Sequence, residues 1–580
     1  MNIQQLLIDR FSQALDTLGW SDSPVPVAKS TKQGFGEYQF NGAMALAKKL
    51  KQNPREIALQ IIEVVDISDI ADKAEVAGPG FINIHLSNDW LSAQLTSVMG
   101  DKRLGIDKQA SEIVVVDYSA PNLAKEMHVG HLRSTIIGDS VVKCLSFLGH
   151  DVVRQNHMGD WGTQFGMLLA HLEDKLAQDE VAETALSDLE DFYRQAKVRF
   201  DSEEGFADKA RDYVVKLQGG DKDCLILWKN FIDVSIGHSE DVYNKLDVSL
   251  TRNDVMGESA YNKDLANVVT ALKAQNIAQE DDGAQVVFIH ELADKNGNPA
   301  VYIVQKSGGG YLYATTDLAA IRYRSTVLHA DRTLIFTDAR QALHFKQTEI
   351  VARKAGFMND AESYQHCPFG MMLGKDNKPF KTRTGGTVKL IDLLDESVQR
   401  AERLVLQRNP DISPDVLNDM KTKLGIGAVK YADLSKNRTT DYVFDWDSML
   451  SFEGNTAPYL QYAYTRIQSI FAKANFTTET LSDSEFSVVI EQEAEKALCL
   501  HLLQCQNSLE VVAREATPHV LCTYLYELAS LYMRFYEACP ILKDDVSEQS
   551  RYTRLSLCAV TANTLKLGLD LLGIQTMQKM

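Results

Sequence analysis

Two histidines, His128 and His131, lie three residues apart within residues 117–133, the stretch of this chain with the most chemical information. Gly130 stands between them, and because glycine has no Cβ, a ligand can lie directly against the backbone there. Both imidazoles could donate hydrogen bonds to one polyphosphate as charge builds on its α-phosphate, with Lys125 as a nearby cation. A chance pair of structural histidines is the alternative for so short a pattern. The flanking residues favour a site that binds nucleotide phosphates.

The elements around this loop can be predicted from their apolar patterns. Residues 113–116 form an uninterrupted β-branched run, which suits a strand buried on both faces of a parallel sheet. Apolar residues then recur at helical spacing from position 132 to position 148, and Gly149 supplies a stop. The order strand, loop, helix places both histidines on a first helical turn, where free backbone N–H groups and the helix dipole favour an anion.

A second loop, residues 374–389, combines glycines, hydroxyls and cations. It is predicted to follow a strand at residues 369–373 and to lead into a helix at residues 390–394. Such a loop suits the clamping of a pyrophosphate leaving group, and an exposed basic hairpin tip is the alternative. The sequence thus offers a second set of phosphate contacts.

The pattern along the chain predicts an α/β protein with a doubly wound, Rossmann-like parallel sheet, preceded by a small α+β domain and followed by an all-α domain. The expected boundaries are residues 1–108 for the first module, 109–392 for the nucleotide-binding domain, 393–454 for a helical junction and 455–580 for the α-helical domain. A charged helical insertion is expected at about residues 168–248. The strands of the α/β alternation are predicted near Val114, Val152, Val286, Val301 and Leu334.

Bulk composition bounds the class of protein. At 580 residues the chain is too long for one core, and 45% hydrophobic and 24% charged residues are typical of a soluble globular protein. No apolar stretch approaches the length of a membrane span, and the N-terminus lacks the basic region and apolar core of a secretory signal. We therefore expect a cytoplasmic protein without a membrane partner.

Eight cysteines are scattered with no Cys-x-x-Cys pair, so a structural zinc and a disulfide framework are both poorly supported. The net charge of −19 argues against a nucleic-acid partner, because phosphate contacts need lysine and arginine. Residues 375–389 nevertheless hold five basic side chains against Asp376 alone. Composition therefore neither supports nor excludes RNA.

The residues quoted so far resemble a known family. Residues 119–134, Ser-Ala-Pro-Asn-Leu-Ala-Lys-Glu-Met-His-Val-Gly-His-Leu-Arg-Ser, are similar to the His-x-Gly-His motif of class I aminoacyl-tRNA synthetases, and specifically of bacterial arginyl-tRNA synthetases. The likeness recurs in order along nearly the whole chain. The loop at residues 374–389 matches the position of the family's Lys-Met-Ser-Lys-Ser loop but lacks its second lysine. The resemblance implies that Lys125 replaces that lysine and acts with Lys381 or Arg383 on the ATP phosphates.

The resemblance also implies an arginine pocket. A guanidinium is a planar fork of donors that needs carboxylates able to accept bidentate hydrogen bonds. Tyr313 and Asp317, four residues apart and ahead of a helix predicted to open at Leu318, resemble the family's guanidinium-binding pair. An aspartate at a helix N-terminus beside a packing tyrosine is the alternative. Glu258 is a weaker candidate for a second carboxylate, with a surface acid as its alternative.

Further substrate contacts are expected around the same site. Asp117 and Asn122 flank the first loop, where a carboxylate and an amide could hold the α-amino and α-carboxylate groups of an amino acid. Gln341 matches another substrate contact of the family, and His344 is expected to border the adenosine together with Gly130 and the two histidines of the motif.

The resemblance implies a two-step ligase that uses ATP with Mg²⁺, without zinc, to join L-arginine to tRNA(Arg), with bound tRNA needed for the first step. The N-terminal module would contact the outer corner of the tRNA and the C-terminal helices its anticodon, and a monomer is expected. The C-terminal residues considered as RNA contacts are Gln461, Tyr462, Arg466, Tyr526, Phe535 and Tyr536, most of which are at core spacing. Three rivals remain at this stage: a cysteinyl enzyme, a small-molecule adenylyltransferase and a non-catalytic RNA-binding protein.

Overall fold

The first module is built on a four-stranded antiparallel sheet that is covered by helices. The structure, a computed structural model, describes residues 2–30, 34–177, 181–182, 186–380, 388–475 and 486–580. The opening helix buries one apolar stripe, and its Phe11 stacks on Phe40 of the sheet at 4.8 Å between ring centroids. This confirms the predicted α+β character. The strands, in sheet order, are Val27–Lys29, Tyr38–Phe40, Phe81–Leu86 and Ala71–Ala77, and the helices are Ile3–Thr17, Ala43–Leu50, Pro54–Val64 and Asn88–Met99.

A four-stranded parallel sheet forms the centre of the molecule. Its strands run in the order Ser363–His366, Arg332–Ile335, Ile113–Asp117 and Asp151–Gln155. The helix Gly130–Leu148 links the last two of these strands, as the sequence predicted. Since Val114, Val115 and Val116 have no exposed surface, the central strand is covered on both faces. All four strands therefore present their carboxyl ends at one edge, where ligands bind in open α/β sheets.

Two of the predicted strands do not belong to this sheet. The strands around Val286 and Val301, Ala284–Ile289 and Ala300–Gln305, instead pair antiparallel with Gln279–Asp281 in a separate three-stranded sheet. The prediction for these two was wrong, and the sequence holds the reason. Asp282 and Gly283 both have positive φ, 46° and 77°, and Asp-Gly with that geometry joins neighbouring antiparallel strands in a tight hairpin. The predicted strand at residues 369–373 is also shorter than expected, since only Met372–Leu373 pairs, with Tyr442–Val443.

The rest of the chain is mainly helical. The described part of the charged insertion contains the helices Gln164–Leu176, Leu189–Ser202, Phe206–Gly219 and Lys222–Leu246, in keeping with its helical pattern. Around the sheets lie the helices Leu265–Ala274, Tyr313–Thr326 and Ala342–Lys354 and the short 3-10 turns Arg252–Asp254, Glu258–Tyr261, His290–Leu292 and Ala339–Gln341. The helix at Tyr313 begins five residues before the predicted start at Leu318.

Among the described residues from 388 onward, the regular elements are helices apart from the two-residue strand already named. These helices are Leu390–Arg408, Pro414–Leu434, Trp446–Met449, Ala457–Ala474, Glu493–Leu503, Cys505–Glu515, His519–Ala538 and Glu548–Leu571. Sixteen of the 24 residues of the last helix are buried, and these side chains fill the centre of the bundle. Within the described ranges, no helix combines the length and the apolar character needed to cross a bilayer. The predicted domain boundaries stay predictions.

Candidate active site

The chemistry-bearing side chains gather at the carboxyl edge of the parallel sheet. Asp117 is the last residue of its strand, and the loop to the His128 motif follows it. Residues 156–160 follow the strand Asp151–Gln155, and residues 337–341 follow the strand Arg332–Ile335. One edge therefore carries the two motif histidines in one loop and a group of carboxylates in others.

The two motif histidines are oriented by backbone N–H groups of their own loop. The N–H of Gly130 donates to Nδ1 of His128 at 3.0 Å, and the N–H of His128 donates to Nδ1 of His131 at 3.1 Å. A ring nitrogen that accepts a hydrogen bond carries no proton, so each neutral ring has its proton on Nε2. With ring centroids only 4.1 Å apart, the pair presents two Nε2–H donors side by side. That arrangement suits the oxygens of one phosphate.

Both rings are held in the neutral form. Burial, followed by the neighbouring His128, lowers the pKa of His131 to about 3. Burial and the field of Lys125 also lower the pKa of His128, against the opposing effect of Glu190. The pair can therefore donate hydrogen bonds near neutral pH without carrying charge, and it is placed at the start of the helix Gly130–Leu148, where the dipole favours an anion.

The loop that leads to the histidines begins with an unusual turn. Ser119 and Ala120 both have positive φ, 71° and 45°, which is costly for residues other than glycine. The N–H of Ser119 donates to Oγ of Ser134 at 2.9 Å, and the N–H of Ala120 donates to Oδ1 of Asn156 at 2.9 Å. These side chains hold the turn in place, so the path of the phosphate loop depends on its neighbours.

The second loop is attached directly to the first. The N–H of Val129 donates to the carbonyl of Val388 at 3.1 Å, and the N–H of Leu390 donates to the carbonyl of Met127 at 2.9 Å. The structure therefore brings together the two segments that the sequence predicted to contact phosphates. Lys381 and Arg383 lie outside the described residues. Lys125 is exposed, and its Nζ lies 4.3 Å from the centre of the Tyr193 ring.

A group of acidic and imidazole side chains forms the other end of the site. Nε2 of His344 lies 2.6 Å from Oδ2 of Asp317, and Nε2 of His157 lies 3.8 Å from the other oxygen of Asp317. The ring of Tyr313, which is 62% exposed, meets the His344 ring edge-on at 4.8 Å. Tyr313 and Asp317 thus share the first turn of the helix Tyr313–Thr326 with His344 between them. His344 belongs to this acid cluster, and its predicted contact with adenosine stays a prediction.

Glu258 belongs to the same cluster. Burial, followed by the fields of Asp160 and Asp317, raises the pKa of Glu258 to about 7. Asp160 is itself buried, and its carboxylate accepts from the Ser259 N–H at 2.8 Å and the Ser259 hydroxyl at 2.6 Å. Gly257 permits this contact, because a Cβ there would lie 2.5 Å from Asp160 Oδ2. Three carboxylates crowded at one end make a site for a cation with several donors.

Asp117 is already paired inside the protein. Its Oδ2 accepts from the Arg324 guanidinium at 2.5 Å, and the same guanidinium donates to Gln155 at 2.7 Å. The other oxygen, Oδ1, has a long 3.4 Å contact with the His157 N–H. Arg324 and Asp117 are both almost fully buried, so Arg324 fixes the end of the central strand.

The two amides predicted to contact substrate are both exposed. Oδ1 of Asn122 accepts from the Ala124 N–H at 2.9 Å and from the Gln164 side chain at 3.2 Å, which leaves its NH₂ group available. Gln341 ends a short 3-10 turn directly before the helix that carries His344. Asn122 therefore lies beside the phosphate loop and Gln341 beside the acid cluster.

Sequence reasoning missed His157, Asp160 and Arg324. The first two had a usable signal: Asn-His-Met-Gly-Asp at residues 156–160 directly follows the predicted strand at Val152, where ligand-binding side chains of a parallel sheet are expected. Arg324 had no such signal, because its pairing with Asp117 crosses 207 residues of sequence.

The C-terminal residues predicted as possible RNA contacts differ in burial. Gln461 and Phe535 have no exposed surface, and the Gln461 amide donates to the carbonyl of Gln575 at 2.8 Å, so both are structural. Tyr462 is exposed and hydrogen-bonds Arg466 at 3.3 Å, and the Arg466 guanidinium lies 4.5 Å from the centre of the Tyr536 ring. Tyr462, Arg466 and Tyr536 thus form one accessible cation and aromatic group.

Three family models match consecutive parts of the chain. The model described as the N-terminal domain of arginyl tRNA synthetase matches residues 4–86. The model described as the catalytic domain of class I tRNA synthetases (R) matches residues 94–446, which include the motif histidines, the phosphate loops and the acid cluster. The model described as the DALR anticodon binding domain matches residues 460–580.

Whole proteins show the same likeness. The chain is 68% identical to the arginine–tRNA ligase of Alteromonas mediterranea and 62% identical to that of Colwellia psychrerythraea, in each case over 100% of both chains. The crystal structure of arginyl-tRNA synthetase from Plasmodium falciparum superposes with a TM-score of 0.86 at 30% identity, covering 100% of this chain and 99% of that one. The arginyl-tRNA synthetase of Thermus thermophilus shares the fold, with a TM-score of 0.82 at 23% identity over 100% of both chains. The chain therefore belongs to the arginyl-tRNA synthetases, a family of class I aminoacyl-tRNA synthetases.

Proposed function

We propose that this protein attaches L-arginine to tRNA(Arg) through an arginyl-adenylate made from ATP. The observation that carries the proposal is the polarity of one sheet edge: neutral histidines with Nε2–H donors stand at one end, and crowded carboxylates stand at the other. An arginyl-adenylate has the matching polarity, with a phosphate at one end and a guanidinium at the other. Family membership supports the same activity.

In the first step an oxygen of the arginine α-carboxylate attacks the α-phosphorus of ATP. The bond from that phosphorus to the bridging oxygen breaks, and pyrophosphate leaves with the electron pair. His128 and His131 donate their Nε2–H groups to the α-phosphate oxygens as negative charge develops on them. Lys125 acts with Lys381 or Arg383 to neutralise the leaving pyrophosphate, and Mg²⁺ enters with ATP as part of the substrate.

The guanidinium lies in the acid cluster. Asp317 and Glu258 accept its forked N–H groups, and Tyr313 and Gln341 complete the contacts. The pocket selects arginine over other amino acids by the pairing of polar groups rather than by the size of the side chain. Lysine or citrulline would leave buried donors or carboxylates unpaired, at about 1–3 kcal/mol for each neutral group and more for a charge.

The other polar groups of arginine are held beside the phosphate loop. Asp117 is the candidate for the α-amino group, because its Oδ1 has only one long contact, of 3.4 Å, and can accept another donor. Asn122 is the candidate for the α-carboxylate, because its NH₂ group is exposed at the loop. Together they would hold the carboxylate in line with the α-phosphorus.

In the second step a hydroxyl of the terminal ribose of tRNA attacks the carbonyl carbon of the adenylate, and AMP leaves. The C-terminal helical domain would hold the anticodon, with Tyr462, Arg466 and Tyr536 as accessible stacking and charged groups. The N-terminal module would contact the outer corner of the tRNA. We infer also that the first step needs bound tRNA.

The molecule is proposed to work in the cytoplasm as a monomer. All eight cysteines are buried free thiols, which fits a reducing compartment. Sedimentation of the purified protein tests the second statement, and a dimer at micromolar concentration would contradict it.

Charging of bulk tRNA with each of twenty labelled amino acids tests the function. Arginine alone should be esterified, and the His128→Ala, His131→Ala double variant should lose the reaction while still binding tRNA. Charging with cysteine would favour a cysteinyl enzyme. Adenylylation of a small molecule without charging would favour an adenylyltransferase, and tRNA binding without either reaction would favour a non-catalytic RNA-binding protein.

A further inference from the structure

A buried lysine joins three parts of the fold. Lys430 lies on the helix Pro414–Leu434 and is 1% exposed. Its Nζ donates to the carbonyl of Leu246 at 2.6 Å and to the carbonyl of Gly573 at 2.6 Å. Leu246 ends the last helix of the insertion, and Gly573 lies two residues beyond the last helix of the anticodon-binding domain. One side chain therefore binds the C-terminal ends of two helices from different parts of the molecule.

The junction has no spare room. A Cβ at Gly573 would lie 2.4 Å from Nζ of Lys430 and 2.9 Å from Nζ of Lys143, so the backbone of the C-terminal segment is in direct contact with both lysines. Burial, followed by the field of Lys143, lowers the pKa of Lys430 to about 7. Even the neutral amine keeps two N–H groups, enough for its two carbonyl partners. The junction is thus a fixed point for the end of the anticodon-binding domain.

One chain of contacts leads from this point to the phosphate loop through the insertion. Tyr243 lies one helical turn before Leu246, and its hydroxyl pairs with Oγ of Ser119 at 2.8 Å and with Nδ2 of Asn156 at 2.9 Å. Asn156 in turn accepts from the N–H of Ala120. These are the groups that hold the left-handed turn at the start of the histidine loop.

A second chain of contacts runs along the helix that carries the motif. Lys143 pairs with Asp139 at 3.0 Å and donates to the carbonyl of Asp247 at 3.3 Å. The buried Asp139 carboxylate accepts from the hydroxyl of Tyr118 at 3.1 Å. Tyr118 immediately precedes Ser119, so both chains of contacts end on the same strained turn.

We propose that Lys430 is a positioning residue that couples the anticodon-binding domain to the phosphate loop, so that a tRNA held by that domain sets the turn at Ser119 and Ala120 for arginine activation. The coupling rests on the proposed need for tRNA in the first step. It assigns to Lys430, Lys143 and Tyr243 a role in activation although none of them touches substrate.

The test measures arginine-dependent exchange of pyrophosphate into ATP, with and without saturating tRNA(Arg). The full-length variants are Lys430→Met, Lys143→Met, Tyr243→Phe and the double variant Lys430→Met, Tyr243→Phe. Lys421→Met is the matched control, because Lys421 lies on the same helix and pairs with Glu402 on the neighbouring helix, away from the junction. tRNA affinity, arginine and ATP affinity, and the melting temperature are measured for each protein.

Stimulation by tRNA should fall about tenfold in Lys430→Met, within the range of ordinary coupling free energies, and less in Lys143→Met. Affinities should stay within about twofold, and Lys421→Met should keep full stimulation. In the double variant the losses should be less than multiplicative, because both residues lie on one chain of contacts. Should Lys430→Met not fold, the partly exposed Lys143→Met decides the question.

Two contrary results have different meanings. If the unmodified enzyme exchanges pyrophosphate at full rate without tRNA, the proposed tRNA requirement is wrong, and the coupling is wrong with it. If the unmodified enzyme needs tRNA but the junction variants keep its full stimulation, or lose activity only in proportion to tRNA affinity, the coupling alone is overturned.

Discussion

The two ends of the active site are built in different ways. The phosphate end takes its two histidines from four consecutive residues, and backbone N–H groups of the same loop orient both rings. The acid end takes its side chains from four separate segments, at residues 157–160, at Glu258, at residues 313–317 and at residues 341–344. A local structure is sufficient for the first end, whereas the second exists only when the whole domain is folded.

The two ends also differ in how they use charge. Burial keeps the motif histidines neutral, and a neutral imidazole can still donate a hydrogen bond from Nε2–H to a phosphate oxygen. At the acid end the carboxylates need their charge to bind a guanidinium, yet burial, followed by the fields of Asp160 and Asp317, raises the pKa of Glu258 to about 7. In the free enzyme these neighbouring carboxylates repel each other, and an arriving cation relieves this repulsion. Specificity for the amino acid should depend on the acid end, and the rate of phosphorus chemistry on the histidine end.

Removing charge at Asp317 should break the acid end most severely. Asp317→Asn keeps the shape but leaves a buried guanidinium without its partner, which costs about 2–5 kcal/mol. We expect kcat/KM for arginine to fall about 10³-fold, with the KM for ATP within about twofold. Steady-state pyrophosphate exchange measures both constants.

Asp264→Asn is the control for this variant. Asp264 pairs at 3.2 Å with Arg322, and Arg322 lies on the same helix as Asp317 but farther along it. The Asp264→Asn variant should leave both constants unchanged. A comparable loss of arginine and ATP binding in Asp317→Asn would remove Asp317 from the guanidinium pocket.

The complementary change at the phosphate end is His131→Ala. Loss of one donor to a developing anion lowers kcat about 10²-fold, while arginine affinity should stay within about twofold. Rapid-quench measurement of adenylate formation reports kcat for this step, and equilibrium binding reports the affinity. His150→Ala, just beyond the other end of the same helix, is the control and should be fully active. An arginine affinity that falls with kcat would mean that the two ends do not act separately.

The contrast between the ends also explains what the sequence could predict. The histidine loop, its strand and its helix were predicted correctly, because their signals lie within about forty adjacent residues. The same holds for the helical insertion and the helical C-terminal domain. His157 and Asp160 had a local signal, because they directly follow the predicted strand at Val152. The contact of His157 with Asp317 and the buried pair of Arg324 and Asp117 join distant segments, which leaves no local periodicity. The separate sheet of the strands at Val286 and Val301 does have a local signal, the Asp-Gly turn directly before the first of them.

The raised pKa of Glu258 predicts how arginine binding depends on pH. The free enzyme takes up a proton on Glu258 as pH falls through about 7, and the protonated form accepts the guanidinium poorly. Binding should therefore weaken about tenfold between pH 8 and pH 6, since about nine tenths of the groups are protonated one unit below the pKa. Calorimetric titration of arginine across this range measures the effect.

Glu258→Gln should bind arginine more weakly at pH 8 and show a flat profile below it. Glu291→Gln, which changes a carboxylate paired with Lys354 at the surface, should keep the slope of the unmodified enzyme. If the slope persists in Glu258→Gln, another group of the cluster titrates, and Glu258 does not contact the guanidinium.

The smallest effect is expected for Tyr313→Phe, which tests whether Tyr313 contacts arginine through its hydroxyl or only packs with its ring. Its ring is 62% exposed and touches His344 at its edge, so Tyr313→Phe keeps the ring and removes only the hydroxyl. Loss of one hydrogen bond at this exposed position costs about 1 kcal/mol, or about fivefold in KM for arginine, with little change in kcat. Tyr311→Phe, two residues earlier and also exposed, is the matched control and should leave KM unchanged. A normal KM in Tyr313→Phe would reduce Tyr313 to a packing residue and leave the recognition of arginine to the carboxylates alone.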